Sequence, residues 1–189
     1  MNGLHATEID CLLSRALDYS SPNLNMSQHR PDTHVSWLGV FARDELPDMK
    51  HECRPFALVL NTDPRSKPGQ HWLAIFGPLN GPIELFDSFG LAPSSYGLAS
   101  LYSTHSRIQL QSPFSALCGH YCIYFIYRRS KSLSAIEFNS FHGIVDSLKK
   151  IQVPDDHVKS FVNDLKLAYR ILNPSNRTGQ CSKLKCSFC

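Results

Sequence analysis

The sequence predicts a single domain that contains both helices and β-strands. Three observations support this: 42% of the 189 residues are hydrophobic, helical patterns occur near both ends of the chain, and short apolar runs lie between them. A chain of this length buries roughly 70% of the surface that it exposes when unfolded, which is enough for one core. We therefore place one domain over residues 1–174 and a polar, cysteine-containing tail over residues 175–189.

A first helix is predicted near the amino terminus. Thr7 suits an N-cap, with an acidic residue three positions later. The apolar residues that follow share one helical face: Ile9, Leu12, Leu13, Ala16 and Leu17. Ser20–Pro22 ends this helix.

Trp37–Phe41 is a short apolar element, and three later apolar runs are typical of strands: Phe56–Leu60, His71–Phe76 and Ile83–Asp87. The last two flank a turn rich in glycine and proline, so they predict a β-hairpin. With a three-residue loop between Gly77 and Gly81, His71 lies directly across from Asp87. A two-residue loop at Asn80–Gly81 would put these side chains on opposite faces, so the register stays open.

The apolar run that begins at Cys118 predicts a buried helix. Arg128 and Arg129 follow it and suit a helix C-terminus, and a run of about eleven residues is long for a strand. A central strand remains an alternative because aromatic and β-branched residues are abundant in the run. In a helix, Cys118 occupies the first turn, where unpaired N–H groups and the helix dipole lower the pKa of a thiol. That position suits a nucleophile.

Two further helices are predicted towards the carboxyl terminus. Ser134–Glu137 has the capping-box pattern, and its inward apolar residues are Ile136, Phe141, Ile144, Val145 and Leu148. Pro154–Asp155 opens the second helix, which ends at Asn173–Pro174. Its inward residues are Val158, Phe161, Val162, Leu165 and Tyr169.

Cysteine usage and the absence of a leader pattern predict an intracellular protein with no membrane segment. Seven cysteines in a chain this long do not form a secreted disulfide framework, so reduced thiols are expected. No stretch has the length of a membrane span, and Met1–Ser20 lacks the pattern of a signal peptide. The tail cysteines Cys181, Cys186 and Cys189 are one ligand short of a closed zinc site, so we predict no metal.

The charge of the chain is unevenly distributed. Residues 1–127 carry 8 Lys and Arg against 11 Asp and Glu, and residues 128–189 carry 11 against 5, giving −3 and +6. A basic carboxyl-terminal third could bind DNA weakly. A solvated helical surface is the alternative, because the lysines are spaced singly and not interleaved with aromatic residues.

The residue types needed for thiol catalysis occur in order along the chain. His71 opens a strand, Asp87 ends the next one, and Cys118 begins a helix. A thiol nucleophile needs a base, and the imidazole needs a partner that fixes its tautomer. The Cys118 N–H and the Gln111 amide are candidate donors to an oxyanion. His120 is a rival base, but two residues from Cys118 on a helix it points away from the thiol.

These motifs resemble the adenain-like cysteine proteases, the adenovirus maturation protease and its relatives. The pattern is His-Trp, then Leu-Phe-Asp-Ser-Phe-Gly at Leu85–Gly90, then Gln-x6-Cys-Gly at Gln111–Gly119. Four strings look closest to proteases encoded by adintoviruses and Polinton (Maverick) elements: Gly39–Phe41, Asn61–Pro64, Pro68–Trp72 and Gln109–Ser115.

The resemblance implies an α+β domain in which a central, mainly antiparallel sheet packs against the helix that carries Cys118. It implies that Cys118 is the nucleophile, His71 the base, Asp87 the orienting acid and Gln111 the oxyanion donor. Trp72 would wall a narrow substrate groove. The adenovirus enzyme has Glu where this chain has Asp87, which shortens the reach of the acid without removing its role.

The resemblance also implies a polypeptide substrate. The expected substrates are viral or transposon-encoded structural precursors, cut after small residues such as Gly-Gly by a monomer in the host nucleus or the virion. No cofactor is expected. The adenovirus enzyme is activated by DNA and by a disulfide-linked peptide, but no cysteine here matches that bridge. The alternatives are deconjugation of a ubiquitin-like modifier and a non-catalytic capsid- or nucleic-acid-binding module.

Overall fold

A computed structural model describes residues 3–18, 35–99, 103–131 and 140–172 of the chain. These residues form an α+β domain with a five-stranded sheet and four α-helices. The helices are α1 (Ala6–Asp18), α2 (Cys118–Ser130), α3 (Phe141–Lys149) and α4 (Pro154–Leu172). The strands are β1 (Ser36–Phe41), β2 (Phe56–Asn61), β3 (Trp72–Gly77), β4 (Ile83–Phe86) and β5 (Ser103–His105).

The sheet is antiparallel at its centre and parallel at both edges. Its strand order is β1-β2-β3-β4-β5, with antiparallel β2–β3 and β3–β4 pairs between parallel β1–β2 and β4–β5 pairs. Every residue of β2 is buried, and so is all of β3 except Trp72. A strand that is buried on both faces has a continuous apolar sequence, which is why these strands could be predicted from the sequence. The α+β class predicted from the sequence is confirmed.

The β3–β4 hairpin has a longer loop than the sequence analysis expected. Residues 78–82 separate the strands, and Ala74 pairs with Phe86. Both loops that the sequence left open, of three and of two residues, are therefore wrong, and the pairing is displaced by two residues from the register of the three-residue loop. The three-residue loop would have brought Pro82 into the ladder, where its missing N–H cannot donate.

This displacement keeps His71 and Asp87 on one face of the hairpin. Both residues lie just outside the paired strands, and they are not directly opposed as expected. Because side chains alternate along a strand with a period of two, a shift of two residues leaves every side chain on its original face. The prediction that the two side chains are on the same side of the sheet therefore survives the error in the loop.

Helix α2 lies at the centre of the main core, and its predicted start at Cys118 is confirmed. It packs on β3 and contacts the other three helices. Phe125 stacks on Phe86 of β4 with ring centroids 4.6 Å apart. The run is apolar because the helix is surrounded on all sides, so its aromatic and β-branched residues reflect burial and not strand structure.

A largely buried ion pair fixes the far end of α2 to the sheet. Arg129 donates to both carboxylate oxygens of Glu84, at 2.8 and 2.9 Å. Its guanidinium also lies over the ring of Phe76, 4.8 Å from the centroid. Fixing this end limits how the helix start at Cys118 can move relative to the strands.

One predicted helix start differs from the structure, and a second stays a prediction. Helix α1 begins at Ala6 and not after Thr7, because the His5 carbonyl accepts the N–H groups of Glu8 and Ile9. Ser134–Glu137 lies outside the described residues. Helix α3 begins at Phe141, where the Ser140 hydroxyl accepts the Gly143 N–H at 3.1 Å.

The state of the cysteines is only partly as expected. Cys53 is disulfide-bonded, which corrects the expectation of reduced thiols, since a cysteine count does not tell which sulfurs a fold brings together. Cys181, Cys186 and Cys189, weighed above as zinc ligands, lie outside the described residues. Within the described ranges no group of three His, Cys, Asp or Glu residues could hold a metal ion. No helix in this part of the chain is long and apolar enough to cross a membrane.

Candidate active site

Cys118 is the first residue of α2 and is 8% exposed. The helix start is tightly packed at the next residue, Gly119, where an added Cβ would lie 3.0 Å from the Ile9 side chain. Glycine therefore lets the first turn of α2 approach α1 closely. The unpaired N–H groups of this turn and the positive end of the helix dipole favour negative charge at the thiol.

His71 lies immediately before β3 and is held from several sides. Its carbonyl accepts the Thr62 N–H at 2.9 Å, which fixes the backbone. Its ring stacks on Phe89, with centroids 4.8 Å apart, and on Tyr96, at 5.8 Å. Its Nε2 lies 2.6 Å from Oδ1 of Asp87. The structure therefore brings together the predicted base and the predicted acid.

Asp87 is 1% exposed, and both of its carboxylate oxygens are satisfied. Oδ1 accepts the Phe89 N–H at 2.9 Å in addition to its contact with His71. Oδ2 accepts the Leu91 N–H at 2.9 Å and the Tyr96 hydroxyl at 2.8 Å. Burial by itself would raise the pKa of Asp87, but His71 and the two backbone N–H groups lower it, so the group stays ionised.

This carboxylate strongly favours a protonated His71. Burial would lower the pKa of His71, but hydrogen bonds to Asp87 and Cys118 and the negative charges of these groups raise it to about 9. Because Nε2 faces a carboxylate it donates, so Nδ1 is the nitrogen left for the thiol. Nδ1 is buried and makes no close hydrogen bond with a described residue. The Cys118 contact is therefore looser than the Asp87 contact, as is common before substrate binds.

Gln111, the predicted oxyanion donor, is buried with its amide held at both ends. Oε1 accepts the Ser88 hydroxyl at 2.6 Å, and Nε2 donates to the Ser115 carbonyl at 2.7 Å. The preceding residue, Leu110, accepts the hydroxyl of Tyr121 at 3.1 Å, and Tyr121 lies in the first turn of α2. The segment that carries Gln111 is therefore tied to the helix start that carries the thiol.

Trp72 is partly buried and lies beside the start of α2. Its Cδ1 atom is 3.5 Å from the position of a Cβ at Gly119. It packs against the main core and pairs with Asn61 in the sheet. This places the predicted groove residue next to the helix turn that begins at Cys118.

Sequence reasoning missed three residues of the site: Ser88, Phe89 and Tyr96. Two of them follow Asp87 directly in the string Asp-Ser-Phe-Gly, so their position could have drawn attention to them. Tyr96 ends a short 3-10 helix, Pro93–Tyr96, whose sequence carries no signal for contact with a carboxylate.

Within the described part of the chain, no carboxylate makes a hydrogen bond or ion pair with His120, the rival base. It is 5% exposed, and among the described residues its Nδ1 has no hydrogen-bond partner. Burial lowers its pKa to about 4, and the positive charge of Lys166 acts in the same direction. The negative charge of Glu8 opposes this, and Lys159 makes the smallest contribution. Such an imidazole is neutral at pH 7 and cannot stabilise a thiolate as an imidazolium would.

Comparison with known proteins relates the chain to viral cysteine proteases. It is 30% identical over 142 residues to a cysteine protease of African swine fever virus, covering 60% of this chain and 50% of that protein. A protein named SUMO-1 cysteine protease, from another isolate, is 30% identical over 140 residues, covering 59% and 49%. The protease of bovine adenovirus 4 is 27% identical over 114 residues, covering 48% and 57%.

No family model matches the chain. The chain spans about half the length of the curated relatives it matches. The named relatives are proteases, which supports a hydrolase of this kind. These relatives support the resemblance of the sequence motifs to adenain-like proteases, because they too are viral cysteine proteases.

Proposed function

We propose that this chain is a cysteine endopeptidase of the adenain-like type, with Cys118 as nucleophile and His71 as base. Asp87 orients the imidazole and stabilises its protonated form, and Gln111 donates a hydrogen bond to the oxyanion. The single observation that carries the proposal is the buried 2.6 Å contact of His71 with Asp87, next to a thiol at a helix start. A carboxylate, an imidazole and a thiol in this order form the arrangement that thiol acyl transfer needs.

The catalytic cycle follows from these contacts. Cys118 passes its proton to Nδ1 of His71, and the thiolate attacks the scissile carbonyl carbon. The carbonyl oxygen becomes an oxyanion, which accepts hydrogen bonds from the backbone N–H of Cys118 and the side-chain amide of Gln111. The tetrahedral intermediate expels the amine, which takes the proton from His71, and leaves a thioester. Water then attacks the thioester with His71 as base, releasing the acid and restoring the thiol.

The substrate that we propose is a viral or transposon-encoded structural precursor, cut after small residues such as Gly-Gly. The strings that resemble adintovirus and Polinton proteases support this choice. Trp72, partly buried beside the first turn of α2, would narrow the groove there and exclude large side chains. DNA binding through the basic carboxyl-terminal third, a monomeric state, and action in the host nucleus or the virion belong to the same proposal.

A second candidate function is deconjugation of a ubiquitin-like modifier. One observation favours it, since a relative carries the name SUMO-1 cysteine protease. The chemistry would be identical, and only the protein bound on the acyl side would differ. A panel that compares a fluorogenic Gly-Gly peptide with a ubiquitin-like conjugate separates the two functions by their relative kcat/KM.

The proposed nucleophile is tested by alkylation and by a matched pair of variants. Cys122 lies one turn after Cys118 on α2, and burial raises its pKa well above the usual range. We expect iodoacetamide at neutral pH to label Cys118 first, Cys118→Ala to abolish peptide hydrolysis, and Cys122→Ala to retain it. Full activity of a folded Cys118→Ala variant would refute the proposal.

A further inference from the structure

Ser88 holds Gln111 through both its backbone and its side chain. It is 1% exposed. Its carbonyl accepts the N–H of Leu110 at 2.8 Å and the N–H of Gln111 at 3.0 Å. Its hydroxyl donates to Oε1 of Gln111 at 2.6 Å. One buried residue therefore fixes both where the Gln111 backbone lies and how its side-chain amide is turned.

The orientation of the Gln111 amide follows from its partners. The Ser115 carbonyl can only accept, so the Gln111 atom 2.7 Å from it must be Nε2. Oε1 then faces Ser88, whose hydroxyl must donate. The amide nitrogen carries two N–H groups, and only one goes to Ser115. Among the described residues the other has no partner, so it is the group left to donate to an oxyanion.

The same turn also carries the acid. Asp87 directly precedes Ser88, and its carbonyl accepts the Ser106 hydroxyl at 2.9 Å. At Gly90, where φ is +71°, an added Cβ would lie 2.6 Å from the backbone of Ile108. The turn at residues 87–90 therefore lies in backbone contact with residues 106–111. The carboxylate that faces His71 and the hydroxyl that faces Gln111 come from neighbouring residues of one rigid turn.

We propose that Ser88 is a positioning residue that sets the Gln111 amide for oxyanion binding and couples it to the turn that carries Asp87. The inference rests on the proposed role of Gln111. Without the hydroxyl, Oε1 is a buried acceptor with no partner, and the amide is held only at Nε2. Donors stabilise a transition state in proportion to how well they are fixed beforehand, so a loosened amide lowers kcat.

A double-mutant cycle tests this inference. Ser88→Ala should lower kcat about tenfold, a part of the 10²–10³ that loss of one oxyanion donor costs. KM and the rate of Cys118 alkylation should stay unchanged, because the thiol and His71 are not altered. The double variant Ser88→Ala/Gln111→Ala should be no slower than Gln111→Ala alone, since the hydroxyl has no amide left to hold.

Ser106→Ala is the matched control, because it also removes a buried serine hydroxyl that donates to this turn but has no contact with Gln111. In the double variant, the fold decreases in kcat caused by Ser106→Ala and by Gln111→Ala should multiply. Melting temperatures show that each variant is folded. If Ser88→Ala does not fold, Ser88→Cys keeps a weak donor in a similar volume and should give an intermediate kcat with the same coupling.

The outcomes separate this inference from the proposed function. If Ser88→Ala multiplies with Gln111→Ala, or slows alkylation of Cys118, Ser88 acts elsewhere and only the inference is overturned. If Gln111→Ala itself keeps wild-type kcat, the role of Gln111 and this inference are both overturned. The assignment of Cys118 would still stand or fall on its own alkylation and alanine variant.

Discussion

His71 and His120 are two buried histidines near the same thiol, and their pKa values move in opposite directions. His71 is 7% exposed with a pKa near 9, and His120 is 5% exposed with a pKa near 4. Burial disfavours the charged form of both imidazoles. The Asp87 carboxylate contacts His71 at 2.6 Å, whereas the charges of Lys166 and Lys159 act on His120 and are only partly offset by Glu8.

This contrast shows that depth of burial does not decide which of the two imidazoles is protonated at neutral pH. The partners decide, because the hydrogen bonds and negative charges of Asp87 and Cys118 together outweigh the cost of desolvating the His71 imidazolium. The pair therefore offers a built-in control, since two histidines of similar exposure differ mainly in their charged neighbours.

The largest expected effect comes from exchanging each histidine for glutamine, which is polar but cannot take up a proton. His71→Gln should lower kcat/KM about 10³-fold, within the range that general acid–base catalysis contributes. His120→Gln should change it less than threefold, well under the 1.4 kcal/mol of a tenfold change. Fluorogenic peptide kinetics on the two folded variants decide the matter, and a comparable loss in both would remove the distinction between them.

Asp87→Asn should lower the pKa of His71 towards that of His120. It removes the charge that raises the pKa of His71, so the alkaline limb of kcat/KM, expected near pH 9, should move down by at least one pH unit. The rate at neutral pH should fall roughly tenfold, less than for loss of the base itself. A pH–rate profile measures both effects. An unmoved limb would show that Asp87 does not set the pKa of His71.

Tyr96→Phe should have a smaller effect, because the ring that stacks on His71 is kept and only the hydroxyl is lost. We expect kcat/KM to fall about fivefold, in line with the loss of one hydrogen bond worth about 1 kcal/mol. In an Asp87→Ala background the same change should cost nothing further. A loss that persists there would mean that Tyr96 acts independently of Asp87.

The last contrast concerns stability and not activity, since the two histidines should shape the pH dependence of unfolding on opposite sides of pH 6.5. The folded pKa of His71 is raised, so its contribution is present below pH 6.5 and is lost as pH rises through 9. The folded pKa of His120 is lowered, so its contribution is present above pH 6.5 and is lost as pH falls through 4.

Urea denaturation at a series of pH values measures this contrast. His71→Gln should flatten the alkaline side of the curve of unfolding free energy against pH, and His120→Gln should flatten the acid side. A variant that flattens the side assigned to the other histidine would contradict the corresponding pKa direction.

The sequence by itself determined the local features of this protein. The buried helix from Cys118, the central strands and helix α4 could all be predicted, because each depends on apolar periodicity and on caps within one segment. The order of His71, Asp87 and Cys118 along the chain was also visible, because each residue lies in a short motif that can be recognised from its immediate neighbours. The outer strand β5 was missed because three residues give no periodic pattern.

Only the tertiary structure decided what those residues touch. The His71–Asp87 contact joins residues 16 apart in the chain, and the Ser88–Gln111 contact joins residues 23 apart. Such pairs depend on a hairpin register and on the path of a loop, and a small change in loop length moves them while leaving every local pattern intact. The charge state of a buried imidazole depends on those same distant neighbours. For this reason the sequence shows two candidate histidines, and only the fold shows that, in the described part of the chain, His71, and not His120, has a carboxylate in hydrogen-bond contact.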